Sequence, residues 1–227
     1  MVAADPMEFT GLLTHTAGAR PAPVPVDWAR HAQFGEHDVL LVANGAGAAR
    51  AAAAVDTALA SFTAGAIMST GFCGALAPEL SVADIVAGTS VTDGARNFTS
   101  LQPQCARPHH KGVIVSIDHV AQYAAEKRSL HERGALAVEM EAGGVAARAE
   151  AHRIPFYCVR VVTDLAGEDM ANDFNEALRE DGHFATMIIL KGTLRKPWVR
   201  LPELFRLRNR CARAARVLGE FIADCRF

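Results

Sequence analysis

Residues Ala137–Asp164, AVEMEAGGVAARAEAHRIPFYCVRVVTD, predict a strand, a helix and a second strand in succession. The Ala-rich segment Ala142–Arg153 has no β-branched run, which favours a helix. Pro155 ends that helix because proline has no backbone N–H to donate. Phe156–Val162 is short and almost entirely apolar, as expected for a buried parallel strand. The stretch therefore predicts one βαβ unit of an α/β sheet.

Three carboxylates follow these two strands: Glu139 and Glu141 at the end of the first, and Asp164 directly after the second. In open α/β sheets, ligands bind outside the carboxyl ends of the strands. These side chains are therefore candidates for a binding or catalytic site. Another interpretation stays open at this point, in which Glu141 complements the helix dipole and Asp164 is a cap.

Glycines follow the other predicted strands. Strand Val39–Ala43 leads into a turn at Gly45 and an Ala-rich helix, and strand Ala66–Thr70 leads into a loop with Gly74. Glycine lets the backbone approach a ligand closely, although a tight turn explains it equally well. The first turn resembles a dinucleotide fingerprint, but Arg50 replaces its third glycine, which disfavours a Rossmann dinucleotide site.

Strands near residues 84–88 and 112–118 and a helix over 121–133 complete the alternating pattern. We expect residues 1–227 to form a single α/β domain, with a central mixed, mostly parallel sheet and helices on both faces. The proline-rich segment Arg20–Pro25 is expected to be an extended connector at the surface. Asp93–Pro108 is expected to be a loop and a candidate lid.

Residues 194–227 predict a basic amphipathic helical extension. Its last helix, starting near Pro202, carries an apolar stripe formed by Leu204, Leu207, Cys211, Ala214, Leu218, Phe221 and Cys225. We favour a helix that docks on the domain and turns a solvated arginine-rich side outward. The alternative is peripheral contact with an anionic membrane, for which Trp198 is a suitable anchor.

The composition argues against several classes of protein: nucleic-acid-binding, secreted, membrane-spanning and disulfide-rich proteins. The chain has 227 residues, half of them apolar, and a net charge of −2, so nothing in the overall charge favours nucleic acid. We find no signal peptide and no apolar run of about 20 residues that would span a bilayer. Five cysteines without C-x-x-C spacing indicate a reduced, cytoplasmic protein with no metal site.

Four motifs resemble the nucleoside phosphorylase/nucleosidase superfamily, which includes methylthioadenosine/S-adenosylhomocysteine nucleosidase and purine nucleoside phosphorylase. VEMEAGGVA (138–146) and PFYCVRVVTD (155–164) carry the strongest similarity. STGFCGALAPELSVADIV (69–86) resembles the family's glycine loop, and NGAGAARAAAA (44–54) its first glycine turn. Residues 112–162 and the tail look most like hopanoid-associated phosphorylases, which are thought to release adenine from a lipid-linked adenosyl intermediate.

The resemblance implies roles for the motif residues. Asp164 matches the aspartate that protonates purine N7, which requires a raised pKa or a shared proton. Glu141 matches the glutamate that holds the ribose hydroxyls, with Met140 packing on the sugar. Glu139 and Arg160 match neighbouring positions that support this carboxylate network.

The N-terminal turn ADPME (4–8) distinguishes two reactions. The family's phosphorylases offer an arginine to phosphate in this turn, whereas its hydrolytic nucleosidases use a glutamate there to activate water. Glu8 occupies that place, and a carboxylate repels phosphate but accepts a proton from water. The resemblance thus favours hydrolysis, although Glu8 alone would also suit the first turn of a helix capped by Asp5.

Some positions depart from the family pattern. Phe72 stands where Ser or Thr often contacts the nucleophile or ribose, and Thr163 replaces a common Ser. Val120 lies near the place of an aromatic residue that stacks on the base. Together with Gly74 and Gly45, these complete the candidate substrate-binding residues, and they are compatible with a nucleoside bulkier than methylthioadenosine.

We therefore expect hydrolytic cleavage of an adenine nucleoside, with a hopanoid-linked adenosyl compound as one candidate substrate. One alternative is a phosphate-dependent purine nucleoside phosphorylase, with phosphate as co-substrate. Another is a protein that binds a nucleoside without turnover. No cofactor is expected in any of these cases. The resemblance also implies a homodimer.

Overall fold

A computed structural model describes residues 1–227 and contains ten strands in one mixed sheet. The strands are β1 Val2–Ala3, β2 Ala17–Pro21, β3 Trp28–Phe34, β4 His37–Ala43, β5 Ile67–Ala75, β6 Ile85–Thr92, β7 Asn97–Thr99, β8 His110–Ser116, β9 Ala135–Glu139 and β10 Phe156–Asp164. A 3-10 helix spans Pro6–Phe9. The α-helices are α1 Thr10–Leu13, α2 Ala48–Leu59, α3 Ala124–Glu132, α4 Ala142–His152, α5 Phe174–Ala177, α6 Thr186–Arg195 and α7 Pro197–Asp224.

Five of the strands close into a ring. The sheet order is β10-β6-β8-β9-β5-β1-β4-β3-β2, with β7 paired to β6, and β10 also pairs with β5. Strands β5, β9, β8, β6 and β10 therefore form a small barrel, from which β1 to β4 extend as an open sheet. The predicted α/β class with a mixed sheet is confirmed. The closure was not predicted, because side-chain periodicity reports burial and not sheet curvature.

The strand, helix and strand predicted for Ala137–Asp164 form in that order, as β9, α4 and β10, but the two strands are not parallel as in a βαβ unit. Helix α4 ends at His152, and the next residue, Arg153, adopts a left-handed conformation (φ 56°) before Pro155. Strand β10 then pairs in parallel with β5, from Phe156 opposite Ile67 to Asp164 opposite Gly74.

The direction of β9 corrects one expectation. Strand β9 runs antiparallel to β5, with Val138 opposite Gly74, so β9 and β10 do not end at a common parallel edge. Their carboxylates still converge, because the C-terminal end of β9 overlaps the C-terminal half of β5.

Three strands, β2, β3 and β7, lie where the sequence predicts none. The expected connector at Arg20 belongs partly to β2, which pairs with β3, and β7 lies inside the expected loop. All five residues of β2 are exposed, so no alternation of apolar and polar side chains marks it. Hydrogen bonding to a neighbouring strand, which a single segment cannot reveal, decides its structure.

Helices cover both faces of the sheet. Helices α2 and α4 pack on one apolar cluster, and α1 and the second half of α7 pack on another. The predicted stripe of α7 faces this second cluster at Ala214, Leu218 and Phe221, although the helix already begins at Pro197. No helix combines the length and apolar character needed to span a bilayer.

Candidate active site

Glu8 is buried at the end of a capped turn. Asp5 caps the 3-10 helix, and the Glu8 carboxylate accepts hydrogen bonds from the backbone N–H groups of Ala4 (2.8 Å) and Asp5 (2.9 Å). Its other oxygen accepts the N–H of Phe72 on β5 at 2.6 Å. The predicted cap is therefore present, since one oxygen of Glu8 completes the turn, while the other oxygen contacts β5 and is compatible with the predicted role in a site.

Arg160 lies at the centre of the carboxylates. The guanidinium, on β10, is fully buried and donates to Glu139, to Ser69 Oγ (2.7 Å) and to the Thr70 carbonyl (3.2 Å). Its Nη1 also lies 3.6 Å from an oxygen of Glu141. One cation thus offsets part of the negative charge of the surrounding carboxylates.

Glu139 and Glu141 are held by the backbone around the start of α4. Glu139 accepts the N–H groups of Glu141 (2.9 Å) and Ala142 (2.8 Å), while Glu141 accepts the N–H of Gly47 at 3.0 Å. Burial and the neighbouring Glu139 raise the pKa of Glu141 to about 8, against the opposing effect of Arg160. Met140, between these two residues, is 8% exposed. At neutral pH, Glu141 in the unliganded site therefore binds a proton.

Gly71 permits the approach of Glu8. Its φ is +138°, and a Cβ at this position would lie 2.2 Å from Glu8 Oε1 and 2.9 Å from Arg160 Nη1. Burial raises the pKa of Glu8, while Arg160 and the three backbone N–H groups oppose that rise. A side chain at Gly71 would separate Glu8 from the guanidinium.

Asp164 forms a second polar group at the end of β10. Its Oδ2 accepts a hydrogen bond from Lys127 Nζ at 2.5 Å, and its Oδ1 accepts one from Thr163 Oγ1 at 3.1 Å. A Cβ on Gly74 would lie 2.8 Å from Oδ2, so this glycine makes room for the carboxylate. Burial raises the pKa of Asp164, and Lys127 opposes that rise.

Lys127 is a site residue that the sequence did not reveal. It lies on α3 with no exposed surface and also donates to the Leu165 carbonyl at 2.9 Å. The only sequence signal is its place three residues before Leu130, on the side of α3 that packs on the domain. Lysine is rarely buried without a partner, and here the partner is Asp164.

The two polar groups are separated along the strands. Arg160 pairs with Gly71 and Asp164 with Gly74, and these two glycines are three positions apart along β5. At about 3.3 Å per residue this is about 10 Å. The arrangement suits a ligand with two parts, one bound by Glu8, Glu141 and Arg160 and the other by Asp164.

The remaining candidates lie at the edges of this arrangement. Phe72 contributes its backbone N–H, while its ring packs among apolar side chains. Val120 is bound through its N–H and carbonyl to Asn175. Gly45 packs against residues 181–182, and the N–H of the adjacent Ala46 donates to the carbonyl oxygen of Gly182. The structure thus places Gly45 and Val120 against the C-terminal segment and not in the carboxylate cluster.

Two cavities of the fold differ in volume and in their distance from the site carboxylates. A cavity of about 840 Å³ lies at the opposite edge of the sheet, near Met1, Leu40 and Ile67, and none of the carboxylates above lines it. A cavity of about 20 Å³ lies beside Asp164 and is also lined by Arg206 and Arg210 of α7. No group of three His, Cys, Asp or Glu side chains is arranged to hold a metal ion.

Comparisons with known proteins identify the family of this chain. A family model described as the phosphorylase superfamily matches residues 2–106 and 99–193. A 5'-methylthioadenosine/S-adenosylhomocysteine nucleosidase of Mycobacterium bovis is 26% identical, over 70% of this chain and 82% of the relative.

Two solved structures share the fold. The Neisseria meningitidis 5'-methylthioadenosine/S-adenosylhomocysteine nucleosidase, in complex with methylthio-immucillin-A, has a TM-score of 0.69 at 20% identity and covers 98% of this chain and 96% of its own. The futalosine hydrolase of Helicobacter pylori has a TM-score of 0.73 at 13% identity, covering 97% and 93%. With a family model that spans most of its length, the chain belongs to the phosphorylase superfamily and is an enzyme that cleaves nucleosides.

Proposed function

We propose that this enzyme hydrolyses the N-glycosidic bond of a purine nucleoside whose base is adenine. The observation that carries the proposal is the buried Glu8 carboxylate beside Arg160 and Glu141, at the place where a phosphorylase would offer a cation to phosphate. The names of the relatives, nucleosidases and a hydrolase, support the same reaction.

The ribose is assigned to the cluster of Glu8, Glu141 and Arg160. Cleavage of a ribose–base bond passes through a transition state with positive charge on the sugar, as in glycosidases. Carboxylates placed beside that charge stabilise it, and they act more strongly away from water. Glu141 is placed to form hydrogen bonds with the ribose hydroxyls.

The base is assigned to Asp164. A purine leaves more easily once a proton is placed on N7, and a carboxyl with a raised pKa is a suitable donor. Lys127 holds the Asp164 carboxylate in place after the proton has left, because it donates to the same oxygen. Lys127 therefore fixes the position of the Asp164 side chain and offsets its negative charge.

The proposed reaction consumes one water and includes two proton transfers. The oxygen of one water forms a bond to C1′, and the C1′–N9 bond breaks with its electron pair going to the base. Asp164 gives its proton to N7, and Glu8 accepts a proton from the attacking water. The products are free adenine and the sugar, and exchange with solvent returns both carboxyl groups to their starting states.

Hydrolysis is favoured over phosphorolysis by the charges near Glu8. The only guanidinium of the cluster, Arg160, is already engaged with Glu139, Ser69 and Thr70. A phosphate dianion placed there would face the carboxylate of Glu8, which the proposed reaction requires in its ionised form, at short range. Electrostatic repulsion between like charges is strong in a buried site.

A lipid-linked adenosyl nucleoside, which the sequence resemblance to hopanoid-associated phosphorylases suggests, is the second candidate substrate. Exposed apolar side chains on α6 and α7 favour this substrate. They are close in sequence to Arg206, which lines the small cavity beside Asp164. Adenosines with 5′-alkyl chains of increasing length test this candidate. We expect kcat/KM to rise with chain length, and a decrease would exclude an apolar 5′ group.

Adenine release from adenosine, measured with and without inorganic phosphate, tests the reaction. We expect release without phosphate, no acceleration by phosphate, and free ribose as the product. Glu8→Gln should lower kcat by about 10²-fold or more, because it removes the proton acceptor. The exposed Glu79→Gln is the matched control and should leave kcat unchanged. Release only with phosphate would establish a phosphorylase instead.

Asp164→Asn tests the acid. The amide keeps the shape of the side chain but has no proton to give, so we expect kcat to fall by about 10²-fold or more. Binding of a nucleoside analogue, measured by calorimetry, should change much less. Adenine release at nearly the normal rate would assign protonation of the base to another group.

A further inference from the structure

The positive charge of the chain is concentrated in its C-terminal helices. Residues Thr186–Arg216 contain nine Lys and Arg and a single acid, Glu203, whereas the whole chain has a net charge of −2. The segment therefore has eight net positive charges and the rest of the chain ten net negative ones. Of the nine basic residues only Arg210 forms an ion pair, with Glu168.

Large apolar side chains are exposed among these charges. On α6 they include Met187, Leu190 and Leu194, at 62%, 46% and 68% exposure. On α7 they include Trp198, Leu201 and Phe205, at 90%, 44% and 58%. Each set follows the spacing i, i+3, i+7, which places its members on one side of a helix. We call these six residues and the exposed Lys191, Arg195, Lys196 and Arg208 the basic apolar surface.

Both helices are attached to the domain through buried polar residues. Glu203 accepts hydrogen bonds from the N–H groups of Ala171 and Asn172, at 2.7 and 2.8 Å, and Thr193 Oγ1 donates to the Asn172 side chain at 2.8 Å. Both Thr193 and Glu203 are buried. These contacts attach both helices to the domain, while the side chains of the two apolar stripes stay exposed.

We propose that the basic apolar surface docks on the surface of an anionic phospholipid bilayer. A tryptophan and aliphatic side chains beside lysines and arginines are the composition of helices that lie in the membrane interface. Each basic residue near an anionic membrane contributes about 1 kcal/mol. The inference concerns the location of the enzyme and stands apart from the proposed hydrolysis.

The charges favour lipid over a second copy of the chain. In a two-fold symmetric dimer the same patch meets itself, so two surfaces of the same positive sign would be opposed. An anionic bilayer offers the complementary charge together with an apolar layer for Trp198.

The docking surface adjoins the site. Arg206, the neighbour of Phe205, lines the small cavity beside Asp164 together with Arg210. A docked enzyme would therefore hold the base end of its site close to the lipid headgroups. A nucleoside carried by a lipid would reach the site without leaving the membrane.

Vesicle sedimentation tests the proposal. The full chain is mixed with vesicles of phosphatidylcholine alone or with 30% phosphatidylglycerol, over a range of salt concentrations. We expect binding to the anionic vesicles only, decreasing with salt. Leu194→Ser/Trp198→Ser should abolish it, and each of Arg195→Gln and Lys196→Gln should weaken it about fivefold, the equivalent of 1 kcal/mol.

Matched controls separate the possible outcomes. Leu101→Ser, at an exposed leucine outside the surface, should bind vesicles like the unchanged chain. Adenine release from adenosine, measured without vesicles, should be equal in all these variants, so a failure of the proposed reaction would not affect this test. Equal binding to neutral vesicles, or no binding, would overturn the proposal. So would a dimer in sedimentation equilibrium that Leu194→Ser/Trp198→Ser dissociates, because the surface would then join two copies.

Discussion

At the scale of single residues, the site depends on buried carboxyl groups. Burial raises the pKa of each group, and a neighbouring cation lowers it in part. Arg160 has this role for Glu8 and Glu141, and Lys127 has it for Asp164. A base must be ionised and an acid protonated to act. We therefore expect kcat/KM to fall at low pH as Glu8 gains a proton and at high pH as Asp164 loses one.

Lys127→Met tests the second of these pairs. The positive charge of Lys127 opposes the rise in the pKa of Asp164, so its removal should move the alkaline limb of kcat/KM to higher pH. A merely structural role would lower the rate without moving the limb. Lys111→Met, at an exposed lysine, is the control and should leave the profile unchanged. A limb that stays in place would contradict the assigned pairing.

Gly71→Ala tests the approach of Glu8 to Arg160. The φ of +138° strains an alanine by about 1–3 kcal/mol, and the new Cβ would also collide with Glu8 Oε1 at 2.2 Å. Gly94→Ala has a similar backbone penalty (φ +86°) but meets no atom within 4 Å. We expect both variants to lower Tm, while only Gly71→Ala loses adenine release. Equal turnover in the two variants would show that Glu8 tolerates displacement.

At the scale of elements, helix α7 has two roles along its length. Its second half packs on the sheet and crosses α1, where a Cβ on Gly219 would lie 2.1 Å from the backbone of Gly11. Its first half belongs to the basic apolar surface. The predicted docked face and the arginine-rich side are both present, although Arg210 pairs with Glu168 at 2.6 and 2.9 Å and is not solvated.

Two glycine substitutions should change stability in opposite directions. Gly219→Ala places a methyl group against backbone that cannot move aside, so we expect a loss of about 1–3 kcal/mol in the free energy of unfolding. Gly192→Ala on α6 meets only the end of Arg200, at 3.4 Å, and should gain up to about 1 kcal/mol from helix propensity. Urea unfolding measures both, and a Gly219→Ala variant as stable as the unchanged chain would contradict the close crossing of α1 and α7.

At the scale of the whole molecule, the buried carboxyl groups make stability depend on pH. In the unfolded chain Glu141 titrates near 4.5, and in the folded protein its pKa is about 8. Between these two values the folded state binds the extra proton, so the free energy of unfolding falls as pH rises. Tm measured from pH 5 to pH 8 should therefore decrease, and Glu141→Gln should flatten the curve. A Tm that rises over this range would contradict the raised pKa.

Much of the fold follows from local sequence. The apolar run Phe156–Val162, the Ala-rich helix before it and the stripe of α7 were predicted with ends correct to within a few residues, because side-chain period and proline act over one element. The exposed strand β2 was missed because it buries none of its own side chains.

The sequence by itself determined the order of elements, the family resemblance and the positions of Glu8, Glu141 and Asp164 in motifs. Only the tertiary structure decided that β9 is antiparallel to β5, that five strands close into a ring, and that Lys127 donates a hydrogen bond to Asp164. Glu8 meets Phe72 from 64 residues away. Such contacts depend on strand register and on burial, which belong to the whole fold, whereas periodicity and capping belong to a few consecutive residues.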